Sequence, residues 1–168
     1  MIVASDMPEV RWLTEREQLA WRAFQEMQAR LSAALARDLA SHSPLSYPDY
    51  VVLVALTGQP GGRVRLLELA RQLGWEKSRT SHQVSRMQAR GLVEKLACGE
   101  DHRGATVVAS EQGRREIEAA APSHVEAVRR LFVDRLGPEE LERLKAISAT
   151  VLSALAEDER LRPGGCET

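Results

Sequence analysis

Residues 68–113 read ELARQLGWEKSRTSHQVSRMQARGLVEKLACGEDHRGATVVASEQG, and this stretch decides the fold. Extended back to residue 65, its front (RLLELARQL) spaces Leu66, Leu69, Ala70 and Leu73 at the helical period. Gly74 follows where a C-cap glycine ends such a helix. A second short helix is predicted from about Glu76 to Arg90, closed by Gly91. Two short helices around a tight glycine turn make a helix-turn-helix. LVEKLA (92–97) and ATVVAS (105–110) are rich in apolar and β-branched residues and read as strands. The loop between them, CGEDHRG (98–104), carries two glycines and three charges. A hairpin directly after a helix-turn-helix is a wing.

At 100° per residue, Thr80, Val84 and Met87 fall on one side of the second helix and should face the core. Ser78, Arg79, His82 and Arg86 fall on the other. Arg79, His82 and Arg86 step by three and four, so they form one stripe. Read alone, such a stripe is a solvated charged face. On the second helix of a helix-turn-helix it faces the major groove, where arginine pairs bidentately with guanine and Ser or His meets base edges or phosphates. Lys77 and the free N–H groups at the helix start suit a phosphate. At the wing tip, Arg103 is placed to enter the minor groove, and Asp101 to orient it by a salt bridge.

On the N-terminal side, TGQPGG (57–62) is a loop. No Gly-Lys-Ser/Thr follows its glycines, so it reads as a turn rather than a phosphate loop. A helix is predicted over Pro48 to Leu56, after the breaker loop HSPLSYP (42–48). Before that runs a long helix from about Thr14 to Ser41. Ala20, Phe24, Met27, Leu31, Leu35 and Leu39 form its stripe, and Thr14 with Glu17 a capping box. A helix of that length in a small chain calls for a second chain to cover it. On the C-terminal side, Ile117, Ala121, His124, Val128, Leu131 and Arg135 share a stripe that Val125 and Phe132 widen. Pro122 is expected to kink or interrupt that helix. Gly137-Pro138 opens a last helix with Leu141, Leu144, Ile147, Val151 and Leu155 on its apolar face, and residues 158–168 should fray.

The 168 residues correspond to one domain, 43% hydrophobic and 28% charged, which excludes disorder and a disulfide scaffold. The longest apolar run, Tyr50 to Leu56, is too short to span a membrane, and no secretory signal is visible. With only Cys98 and Cys166, a reducing, cytoplasmic setting is expected. The net charge of −1 conceals +4 over residues 60–110, flanked by −2 and −3. A basic middle between acidic flanks points to an anionic partner, nucleic acid first.

The stretch resembles the MarR family of bacterial transcription regulators. The resemblance rests on Glu68-Leu69-Ala70, the Leu73-Gly74 turn, the reading helix, Ala89 to Val93 (ARGLV), Asp101 with Arg103, and Gly113. It extends over about residues 12–157, through LTEREQLAWRAF (13–24) and LGPEELERL (136–144). It implies a mainly α fold with a small β-hairpin wing: a winged helix-turn-helix over 48–110, flanked by dimerisation helices at 12–41 and 111–157. It further implies a homodimeric regulator, acting as a repressor, that reads a pseudo-palindromic operator in double-stranded DNA with half-sites about 34–36 Å apart. The family's contacts map onto Lys77, Ser78, Arg79, Ser81, His82 and Arg86, with Arg103 in the wing. Three departures stand out. Glu76 replaces a Ser-type N-cap, His82 stands where Arg is common, and Thr80 with Gln83 replace apolar positions, so looser packing is expected.

Many such regulators release DNA on binding a small aromatic effector. Trp21, Phe24, Met27, Tyr47 and Tyr50 lie on elements that would line such a cleft, although Phe24 and Met27 read first as plain core. Cys98, near Lys95 and His102, leaves a thiol-based redox role as an alternative. No H-x-x-x-H or C-x-x-C pair suggests a metal, and no cofactor is implied. No H-E-x-x-H, G-x-S-x-G or dinucleotide glycine pattern suggests an enzyme. The remaining alternative is a dimeric helical module that binds only protein.

Overall fold

The computed structural model describes residues 10–97 and 105–161. Thr14 opens the first helix, α1 (Glu15–His42), with the expected capping box. Glu17 N–H donates to the threonine Oγ1 at 3.3 Å, and Thr14 N–H donates to the Glu17 carboxylate at 2.7 Å. A second capping box, not anticipated, starts α2 (Tyr47–Thr57). Ser46 Oγ accepts from Asp49 N–H at 3.3 Å, and Ser46 N–H donates to Asp49 Oδ2 at 2.9 Å. The next elements are a 3₁₀ turn (Pro60–Gly62), β1 (Arg63–Arg65), α3 (Leu66–Leu73), α4 (Lys77–Ala89), β2 (Val93–Ala97) and β3 (Ala105–Ala109). The chain ends in α5 (Glu111–Leu131), a second 3₁₀ turn (Val133–Arg135) and α6 (Pro138–Leu161).

The fold is a mainly α winged helix-turn-helix. Its sheet is antiparallel in the order β1-β3-β2, with Val93 opposite Ala109 and Arg63 opposite Val108. The third strand corrects the sequence reading, which assigned only the hairpin and took Arg65 into the following helix. Three residues are too few to show a period. What makes them a strand is pairing with β3, more than forty residues away in sequence. Val64 is buried between two exposed arginines, so even this short strand alternates.

Gly74 caps α3 in the left-handed region (φ 62°), which only glycine adopts without strain, and its N–H donates to Arg71 O at 3.1 Å. The tight turn to α4 follows from it. The core lies under α2, α3, α4 and the sheet. Leu53, Leu56, Leu69, Val84, Met87 and Val107 are all fully buried there.

Two further expectations change. Pro122 does not interrupt α5, which runs unbroken from Glu111 to Leu131. Pro122 is exposed, as is Glu118 one turn before it, so the carbonyl that loses its donor is left on the solvent side. Thr80 and Gln83 do not loosen α4. Both are buried and hydrogen-bonded, Thr80 Oγ1 donating to Glu76 O at 3.1 Å and Gln83 Nε2 to Asp49 Oδ1 at 2.7 Å.

The terminal helices differ from the head. On α1 only Leu35 and Leu39 are buried, while Trp21, Phe24 and Met27 are exposed. On α6, Leu141 and Leu144 are half-buried, and Ile147, Val151 and Leu155 are exposed. Among the described residues, no helix is long and apolar enough to cross a membrane.

Candidate nucleic-acid interface

The second helix of the motif, α4, separates its faces cleanly. Thr80, Gln83, Val84 and Met87 are buried; Lys77, Ser78, Arg79, His82 and Arg86 are exposed. Ser81 is half-buried, to the side of that row, and its carbonyl accepts from Ser85 Oγ at 2.9 Å. Among the described residues, Lys77, Arg79 and Arg86 enter no ion pair. Arg30, Arg90, Arg115, Arg129, Arg130 and Arg143 do, each with a carboxylate within 4 Å, while Arg63, Arg65 and Arg71 of the head, like the α4 cations, have none among the described residues. Glu76 occupies the N-cap position but makes no side-chain cap, so the first N–H groups of α4 are not tied to it.

Three attachments fix α4 in place. Behind it, Asp49 is 1% exposed and accepts from Gln83 at 2.7 Å on one oxygen and from Arg90 Nη1 at 2.6 Å on the other. Arg90 also donates to Pro44 O at 3.0 Å, joining the end of α4 to the α1–α2 loop. Burial pushes the Asp49 carboxyl up. The hydrogen bonds from Ser46 and the hydrogen bond and charge of Arg90 outweigh that and hold it below the usual value. On the wing side, Lys95 Nζ of β2 donates to Ser85 Oγ at 2.8 Å.

At the C-terminal turn, Ser110, the N-cap of α5, donates through its hydroxyl to Gly91 O at 2.5 Å and through its N–H to Leu92 O at 3.1 Å. Gly113 then lies so close to Leu92 that a Cβ there would overlap the Leu92 carbonyl. That contact gives the glycine of the sequence motif a physical reason. Asp49 and Arg90 were missed in the sequence. The S-x-x-D spacing of Ser46 and Asp49 was a visible signal of the cap, but the link to Gln83 and Arg90 was not visible.

Trp75 was also missed. It packs against the core, and its N–H donates to Ala70 O at 2.9 Å. The Arg79 guanidinium lies 4.3 Å from its ring centroid. The wing-tip residues Asp101 and Arg103, and Cys98 beside them, lie outside the described residues.

The five aromatic-cleft candidates do not come together as one group. Trp21 and Phe24 stack on each other on exposed α1, with centroids 5.8 Å apart, and Met27 is exposed on the same helix. Tyr50 is buried and Tyr47 half-buried, and both lie against His124 of α5, Tyr50 at 4.3 Å between centroids. Tyr50 also lines a cleft of about 420 Å³ between α2 and α5, with Val54, Ile117, Ala121, Thr57, Arg114 and Glu118. Burial raises the Tyr50 hydroxyl above its ordinary value, and the neighbouring Tyr47 adds to this. Burial lowers the His124 imidazole, against the opposing pull of Asp38. Its Nδ1 is buried with no hydrogen-bond partner among the described residues.

A helix-turn-helix with its second helix turned outward, backed by a three-stranded wing and carrying unpaired cations, defines the class of winged helix-turn-helix regulators. Comparison with solved structures narrows it. Over 86% of this chain and 94% of the other, the fold matches Sco3205, a MarR family transcriptional regulator from Streptomyces coelicolor in complex with DNA, at 36% identity and a TM-score of 0.81. AbsC, a MarR family transcriptional regulator from the same organism, is 39% identical with a TM-score of 0.78, over 91% of this chain and all of AbsC (100%). The chain belongs to the MarR family of transcriptional regulators, a family of regulators rather than enzymes.

A more distant match is the organohalide-sensing regulator RdhR-CbdbA1625 in its 2,4-dichlorophenol-bound form. It is 21% identical with a TM-score of 0.72, over 92% of this chain and 89% of that one, and shows the fold alone. Residues 48–102 match a family model described as a domain of unknown function, DUF7343. No curated protein matches the chain.

Proposed function

We propose that the protein is a homodimeric, sequence-specific DNA-binding regulator that represses by occupying a pseudo-palindromic operator. Residues 48–110 form the reading unit, and residues 12–41 and 111–157 the dimer arm. The observation that carries this reading is the outward row of α4, in which Ser78, Arg79, His82 and Arg86 are exposed, with Lys77 exposed at the helix start; Lys77, Arg79 and Arg86 have no ionic partner among the described residues. Two arginines unpaired on one helix face, with an unpaired lysine at the helix start, suit a polyanion that supplies the missing charge. The DNA complex of Sco3205, a family member with 36% identity, supports the same partner.

Lys77 and Ser78 sit at the free N-terminus of α4 and take phosphate. Arg79, His82 and Arg86 face base edges. Ser81, from the side of the helix, is a marginal contact. Asp101 and Arg103 form the wing's minor-groove element. Dimerisation is supported by the uncovered apolar residues of α1 and α6. Two reading helices about 34–36 Å apart would then meet successive major grooves. A small aromatic effector held beside Tyr47 and Tyr50 is the releasing signal of this reading, with Trp21, Phe24 and Met27 of the arm as further candidates for its cleft.

The test is fluorescence anisotropy against the DNA upstream of the protein's own gene and against scrambled duplex. The expected result is preference for the former and an affinity that falls steeply with salt, because phosphate contacts release counterions. Equal binding to both duplexes, or a flat salt response, would overturn the reading.

A further inference from the structure

We propose that Trp75 is a positioning residue for sequence discrimination, and that it holds Arg79 as a preset guanine reader. The inference rests on the reading of α4 given above. The left-handed Gly74 turn and the Trp75 N–H···O=C Ala70 bond place the indole at the head of α4. Trp75 is partly buried and packs against the core, so the chain itself supplies contacts that hold it. Arg79, four residues on, lays its guanidinium over the ring at 4.3 Å from the centroid.

A guanidinium lying over an indole is held by the ring's π cloud and need not use any of its five N–H donors there. Among the described residues, Arg79 donates to no carboxylate or carbonyl, so that donor edge has no other engagement. A guanine O6/N7 pair is the planar, two-acceptor edge that such a fork matches. Arg86, on the same face, and Lys77, at the start of the helix, have no aromatic platform among the described residues. Of these three α4 cations, one is held by a platform and two are not. Arg79 is expected to discriminate bases, and the others to contribute mainly charge.

The experiment begins by selecting a preferred duplex from random DNA with the wild-type protein. Single base-pair substitutions in that duplex are then measured against wild type, Arg79→Ala, Trp75→Leu, Trp75→Phe and Arg79→Ala/Trp75→Leu. Leucine keeps an apolar side chain against the core but offers no π face; phenylalanine offers a smaller one. Arg79→Ala should erase the preference at one position per half-site. Trp75→Leu should reduce preference at that same position about two- to fivefold, the range of one exposed cation–π contact. Its affinity for scrambled duplex should stay within about twofold. Trp75→Phe should fall between it and wild type, and the double variant should be no worse than Arg79→Ala.

Uniform losses on all sequences, or additive effects in the double variant, would make Trp75 a structural residue and overturn the proposal. A base-selective loss in Arg79→Ala beside a Trp75→Leu and a Trp75→Phe with wild-type preference would overturn the stack alone. An Arg79→Ala with no base-selective loss would overturn the major-groove reading and the stack together.

Discussion

In the head, Leu53, Leu69 and Val84 are fully buried and the buried polar groups are answered by partners: Asp49 by Gln83 and Arg90, Thr80 by Glu76. On the terminal helices and the residues leading into them, Trp12 is 82% exposed, Ile147 62% and Leu152 64%. The head is complete as a single chain; the arm is not. Apolar side chains in that number stay in water only when a further surface is to cover them. Under the proposed function, specificity and assembly are separated along the chain. The two meet at the ends of α4, where Arg90 reaches the α1–α2 loop and Ser110 holds the turn after α4.

The contrast breaks most severely if the arm is charged. Phe24→Glu with Ile147→Glu should turn a dimer into a monomer by light scattering. Operator affinity should fall about 100-fold or more, since the second half-site is then no longer tethered to the first. The monomer's head should keep its near-native circular dichroism. A dimer that survives both charges would show that the uncovered faces are not the interface.

Next in size comes Gly113→Val, which forces side-chain atoms into the Leu92 carbonyl. Urea unfolding should register a loss of about 3 kcal/mol. An unchanged midpoint would mean that α5 does not approach the turn as closely as described.

Asp49→Ala leaves Gln83 unpaired in the core and Arg90 without its carboxylate. The expected cost is about 2–3 kcal/mol, held to that range because Arg90 is partly in water. Asp49→Ala/Gln83→Leu should recover part of it, because the orphaned amide is gone. The Asp49 carboxyl titrates lower in the folded chain than in the unfolded one. Its contribution is therefore complete above about pH 4 and disappears as the pH falls through the depressed value.

The smallest expected effect is at His124. Burial against Tyr50 favours the neutral ring, so its folded pKa lies below 6.5. Stability should be level above that pH and decline as acidification approaches the lowered value, because the unfolded chain takes up the proton first. Melting temperatures between pH 7.5 and pH 5 should show the decline in wild type and a flatter profile in His124→Leu. Identical profiles would remove His124 as the cause.

Much of this molecule was readable before any coordinates. The periods of α3 and α4, the glycines at 74 and 91, and the β-branched hairpin each encode local geometry. Local geometry depends on residues a few positions apart, so Thr80, Val84 and Met87 could be assigned to the core and Arg79, His82 and Arg86 to the outside from the 100° rotation alone. Pro122 shows the limit of such rules. Its lost hydrogen bond falls on the exposed side of α5, off the apolar stripe, where a proline is tolerated; the general rule for proline takes no account of the face.

What only the tertiary structure decided depends on pairs distant in sequence. β1 exists because β3 pairs with it, and Gln83 is tolerated in the core because Asp49, 34 residues earlier, accepts its proton. Trp75 sits in a turn that gave no signal of its own until its ring was seen beneath Arg79. A pattern of spacings reports which face a side chain takes. It does not report what that face meets, because the meeting is fixed by how separate elements pack.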